Sequence, residues 1–115
     1  MTDQEINVTI ANSLGWRYLG GLWYHIVDGK ATSGTGIEGI IFRDYCGDLN
    51  AIHEVELGMD KESRFKFREN LVTIVVRDAQ VSHEEARGDA WCYLISATAR
   101  QRAEAYLRTT GKWVE

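Results

Sequence analysis

Apolar residues recur at helical spacing along much of the chain, most regularly near its end. Ala99, Ala103, Tyr106, Leu107 and Thr110 share one face of a helix spanning 98–111, while Arg100, Gln101, Glu104 and Arg108 occupy the rest. Thr98 and Gln101 have the spacing of a capping box, Gly111 supplies the stop, and Glu104 precedes Arg108 in the favourable i,i+4 order. The small residues on the apolar face let this helix sit close to whatever it covers. A second capping box, Thr2 with Glu5, opens a stripe of Ile6, Ile10 and Leu14 that Gly15 ends; Val8 aligns less well. Asp44 or Asp48 can cap a further helix running to about Met59. Leu49, Ile52, Val55 and Met59 would face its core side, with Asn50, His53, Glu54 and Leu57 on another face.

Other stretches read as extended. Trp16–Leu19 and Leu22–Val27 are aromatic and β-branched runs around Gly20-Gly21, the pattern of a hairpin with a two-residue turn. Residues 28–39 are loop-like, Ile40–Arg43 fits a third strand, and Ser82–Glu85 fits one short turn. Ala90–Ile95 reads as a buried strand leading into the last helix. Between 61 and 80, Phe67, Leu71, Ile74 and Val75 fit a helix, but Leu71–Val76 is also a β-rich run that periodicity alone does not assign.

Two of these segments, Asp44-Tyr45-Cys46-Gly47-Asp48-Leu49-Asn50-Ala51-Ile52-His53-Glu54 and Ser96–Trp113, together with Leu14-Gly15-Trp16 and Trp23-Tyr24, resemble the phage ABA sandwich domain family. These are small alpha-beta-alpha proteins of phages and prophages. The likeness spans most of the chain and leaves 28–40 and 79–90 unmatched. It implies helix for 61–77. With the elements above it implies one domain over 1–115, of the α+β class: a three-layer alpha-beta-alpha sandwich with a small, mainly antiparallel sheet. The architecture is similar to that of the Thoeris anti-defence nucleotide sponges, phage proteins that bind immune signals at subunit interfaces. The resemblance therefore implies a non-enzymatic anti-defence protein that sequesters a cyclic nucleotide or cyclic ADP-ribose signal. The alternative is a phage accessory domain that binds a host or phage protein.

Composition narrows the setting. A chain of 115 residues suits one domain, and its formal charge of −4 argues against binding long nucleic acid, which needs a basic surface. No apolar run approaches a membrane span and the first residues lack the pattern of a signal peptide, so a cytoplasmic location with no membrane partner is expected, which the resemblance implies is the host bacterial cytoplasm. Cys46 and Cys92 are then expected as free thiols. Four tryptophans and five tyrosines in so short an acidic chain favour burial of aromatic surface in a homo-oligomer.

Catalytic constellations are lacking. His25, His53 and His83 lie in separate elements and in no metal-binding spacing; Cys46 with His53 is better read as a small buried residue near a helix start than as a nucleophile and base. Gly29-Lys30 is followed by Ala31, and Tyr24 stands where a Walker loop needs glycine. Asp44, Asp48 and Glu54 near His53 could hold a cation, but capping gives Asp48 a sufficient role. No catalytic residue, metal or cofactor is assigned.

A nucleotide needs aromatic faces, cationic forks or helix N-termini, and groups for its edge and ribose. The candidates are Arg43, Tyr45, Asp48, Asn50 and His53 around the helix at 48, and Thr98, Arg100, Gln101, Arg108 and Trp113 on the final segment. For Arg100, Arg102 and Arg108 the competing reading is a solvated face with i,i+4 pairs. For Trp16, Trp23 and Trp91 it is the core. Trp113 caps the core, packs on a neighbouring subunit or stacks on a ligand.

Overall fold

A computed structural model describes residues 1–19, 22–27, 30–31, 37–38, 43–82, 84 and 90–115. Both capping boxes form. Thr2 Oγ1 accepts from the Glu5 amide and Glu5 from the Thr2 amide at the head of α1 (Asp3–Ser13); Thr98 and Gln101 do the same for α5 (Ala99–Thr109). Gly15 and Gly111 follow these helices with φ of 94° and 75°, the left-handed conformation that ends a helix at least cost in glycine. Asp48 caps α2 (Leu49–Leu57) by accepting from the Asn50 amide at 2.9 Å, and Asp60 caps α3 (Lys61–Ala79) through Ser63 at 2.7 Å.

The long α3 settles the ambiguous run. Phe67, Leu71, Ile74 and Val75 are all buried while Thr73 is exposed. An extended chain would put Leu71, Thr73 and Val75 on one face, so this burial pattern has the period of a helix.

The expected three-layer sandwich is not found: the protein is mainly helical, and its core is helix against helix. Helix α5 packs most extensively on α3 and also touches α1 and α2, while α3 carries α4 (Ala90–Ser96). The strand expected at Ala90–Ile95 is helix α4 instead. Trp91 and Ile95, one turn apart, are both exposed, and Tyr93 and Leu94 pack against the core. With 71–76 and 90–95 both helical, neither run supplies a strand for helices to cover. Among the described residues the β-structure is β1 (Trp16–Leu19) and β2 (Leu22–Val27), which pair antiparallel from Trp16 with His25 to Leu19 with Leu22, and two-residue pairings of β2 with β3 (Lys30–Ala31) and β4 (Ile37–Glu38). The last two arise within the stretch expected as loop. The Gly20-Gly21 turn, residues 40–42 of the expected third strand, and His83 and Glu85 of the expected short turn lie outside the described residues.

The core gathers Ile6 and Ile10 of α1, Ile52 and Val55 of α2, the α3 stripe, and Ala99, Ala103, Tyr106 and Leu107 of α5. Ala103 is fully buried, which is where the small face allows close approach. Leu49, expected inward, is exposed; Ala51 takes its place. Among the described residues no helix is long and apolar enough to cross a membrane.

Candidate functional site

The candidate residues before α2 form a tight structural turn. Asp44 Oδ1 accepts from the Gly47 amide at 3.0 Å and from Asn7 Nδ2 at 3.2 Å, while the Cys46 amide donates to Asn7 Oδ1 at 3.1 Å. A Cβ at Gly47 would meet Asp44 Oδ2 at 2.3 Å, so a larger residue there would displace the aspartate side chain from this position. Asn7, 4% exposed, thereby ties α1 to the turn with both ends of its amide satisfied. Tyr45 is a core residue at 2% exposure, and burial raises its hydroxyl pKa. Arg43 is engaged by Glu54. Asn50 and His53 lie exposed on α2, where His53 Nδ1 is 3.6 Å from Glu56.

The candidates on the final segment are likewise occupied by the fold. Thr98 and Gln101 form the capping box, and Gln101 also donates to Asp78 at 3.0 Å. Arg100 donates to Asp3 at 2.8 Å and to the Met1 carbonyl at 3.3 Å, fastening α5 to the start of α1. Glu104, expected at the surface, is 2% exposed. Arg77 grips both its oxygens at 2.8 and 3.1 Å, and Arg108 Nε adds a third bond at 2.8 Å. Burial alone would raise this carboxyl's pKa; the hydrogen bonds from Arg77 and then Arg108 overcome it and hold the group below the usual glutamate range. Arg108 also reaches Glu115 at 3.2 Å and lies 5.0 Å from the Trp113 ring centre, a cation–π contact that backs the tryptophan onto the core.

The arginines of these segments are thus committed to carboxylates, and the ten candidates do not converge on one pocket. Only His53 borders the feature that most resembles a binding site. This is an open groove of about 440 Å³ between α2, α3 and α4. Its floor is Met59, Phe67, Leu71 and Leu94, and its walls are Leu57 on one side and Trp91 and Ile95 on the other. Leu57, Trp91 and Ile95 are exposed by 73%, 73% and 61%. Arg102 bridges Glu56 at 3.0 Å and the Leu94 carbonyl at 2.6 Å, so it neutralises the one carboxylate among the described lining residues. Arg64 and Arg68 stand on the α3 rim. Arg64 donates to the Leu57 carbonyl at 2.8 Å; neither arginine meets a carboxylate among the described residues. A strand over 90–95 hides these walls by putting Leu94 on the face opposite Trp91 and Ile95; the helix puts Trp91, Leu94 and Ile95 on one side.

A smaller cavity of about 340 Å³ lies beside Trp16, Arg43, Tyr45 and Glu54, so those two expected residues share a hollow with no other members of their set. Among the described residues, no three His, Cys, Asp or Glu side chains come close enough to hold a metal ion. The Cys46 thiol is pushed up to about 12 by burial and by Asp3, with Arg100 opposing, which leaves no thiolate near neutral pH for nucleophilic chemistry. Cys92 is a free, exposed thiol. No family model matches the sequence, and neither a curated protein nor a solved structure matches it.

Proposed function

We propose that this chain is a protein-interaction domain, without catalysis of its own, whose α2–α3–α4 groove seats an amphipathic helix flanked by acidic residues. The observation that supports this reading is the groove itself: exposed Leu57, Trp91 and Ile95 around an apolar floor, with Arg64 and Arg68 at its rim. Apolar side chains grouped in this way at a surface mark contact with another molecule, and tryptophan and arginine are the residues that most often dominate such contacts. A trough between helices accepts the apolar face of another helix at i, i+3, i+4 and i+7. Because Arg102 already balances Glu56, the charge that remains on the described rim is positive and favours acidic flanks.

The test uses designed helical peptides that carry one apolar face with either glutamate or lysine flanks. Glutamate-flanked peptides are expected to shift the tryptophan emission and to bind more weakly as salt rises. The Trp91→Ala variant should lose roughly thirtyfold in affinity, the scale of a hot-spot residue. Equal binding of both peptide classes, or binding unchanged in Trp91→Ala, would overturn the proposal.

A second reading is sequestration of a small nucleotide signal. It is favoured by the grouping of Trp91 with His53, Arg64 and Arg68, which supplies a ring face and cations around one opening. A thermal-shift screen against cyclic di- and trinucleotides and cyclic ADP-ribose isomers separates the two. A ligand at a hundredfold excess over its Kd adds about 2.7 kcal/mol of stability. A stabilising nucleotide that is recovered intact, and whose effect disappears in Trp91→Ala, would replace the helix in this groove.

A further inference from the structure

The smaller hollow of about 340 Å³ shares no lining residue with the α2–α3–α4 groove among the described residues. Its surface is largely apolar and aromatic: Tyr45 and Val55 are buried, and Leu14 and Trp16 are half-buried and packed against the core. Arg43 and Glu54 also line it and are bound to each other. That pairing is incomplete. Arg43 donates through Nη1 alone and Glu54 accepts through Oε2 alone, so Nε and Nη2 of the arginine and Oε1 of the glutamate have no protein partner among the described residues. A spare donor edge and a spare acceptor are therefore held side by side at an apolar hollow.

We propose that this hollow is a binding site for a small planar ring carrying a cyclic amide edge. The ring carbonyl accepts from Arg43, the ring N–H donates to Glu54 Oε1, and Leu14, Trp16 and Val55 cover the rest of the ring. The charge balance selects this class. An anionic ligand is drawn to Arg43 and repelled by Glu54, and a cation meets the reverse, so neither improves on the ion pair already made. A neutral group with both a donor and an acceptor answers both spare edges through charge-assisted hydrogen bonds. A carbonyl alone answers one and leaves the other to be desolvated unpaired. A mostly apolar lining with a few fixed polar groups is the usual make-up of a small-molecule pocket. The inference does not depend on the function proposed for the groove, because the two share no residue.

Titration of the whole chain with 2-pyridone, followed through its amide and indole resonances by nuclear magnetic resonance, tests it. Saturable shifts are expected at Trp16, Tyr45 and Glu54, with a Kd of roughly millimolar size, the strength open to so small a ligand. 1-Methyl-2-pyridone keeps the ring and the carbonyl but lacks the N–H donor, and should bind the wild type roughly tenfold more weakly. Glu54→Ala, at an exposed position, should weaken 2-pyridone by a similar factor while leaving the thermal melt unchanged. Absence of saturable shifts, equal binding of the methylated ring, an affinity unchanged in Glu54→Ala, or shifts confined to Leu57 and Trp91 of the groove would each overturn the inference. Peptide binding to the Glu54→Ala variant reads the groove separately.

Discussion

The buried polar seam, where α5 meets α3 and α1 meets the 44–48 turn, and the groove between α2, α3 and α4 treat polar and apolar groups in opposite ways. At the seam, a carboxylate and a carboxamide are buried and every strong bond they need is made: Glu104 by Arg77 and Arg108, Asn7 by Asp44 and the Cys46 amide. At the groove, a tryptophan, a leucine and an isoleucine are left in water. Buried polar groups with full partners specify one arrangement of the chain, whereas uncovered apolar groups add nothing to the isolated fold. The first region is where this molecule keeps its shape, and the second is where it has surface to spare for a partner.

That contrast can be broken by substitution, and the largest effect belongs to the shared core. Leu107→Ala, at a fully buried position of α5, should cost about 2–5 kcal/mol in a denaturant melt. Removing Arg77 should come next. It leaves Glu104 buried with its charge held mainly by Arg108, and Arg77→Ala is expected to cost about 2–3 kcal/mol, more than Glu104→Gln, whose arginines reach solvent. Asn7→Ala, which orphans the Cys46 amide and loosens the 44–48 turn, should cost about 1–2 kcal/mol.

The pH dependence sharpens the same comparison. Because the folded state holds the Glu104 carboxyl below its ordinary value, its contribution is fully present above the unfolded pKa, about 4.3, and is lost as pH falls from there through the folded value. Acid melts of the wild type should therefore steepen below that point relative to Glu104→Gln. The smallest effect is expected at the groove, where Trp91→Ala should change stability by no more than about 0.5 kcal/mol. A large loss there would mean that Trp91 supports the fold rather than a partner.

What could be read in the sequence was what is decided locally. Both capping boxes close within three residues and the Asp48 cap within two, whereas the stripe of Phe67, Leu71, Ile74 and Val75 fits a helix but shares the β-rich run Leu71–Val76, which its period alone does not assign. The 90–96 segment was not legible, because Trp91, Tyr93 and Ile95 favour a strand and the packing that favours a helix is on α3, another part of the chain. Glu104 looked like half of a surface i,i+4 pair, because its burial depends on Arg77 of another helix. The motifs behind the family resemblance fared alike. Asp44, Gly47, Asp48, Thr98 and Gln101 are explained by hydrogen bonds and steric fit within the fold, and of the expected ligand residues His53 alone reaches the groove. A cation and an aromatic near a helix start cannot be told from a cap and a core residue until the partner elements are known.

The fastening of α5 to α1 bears on how the chain is made. Arg100 and Asp3 are 97 positions apart, and Ile6 and Ile10 find part of their cover on a helix formed near the end of the sequence. While the ribosome is still adding α3 and α4, the emerging polypeptide has two finished helices whose apolar faces lack their common lid. Folding is thus gated by synthesis of α5, and a chain cut short before Ala99 should be a substrate for chaperones and proteases instead of a smaller stable domain.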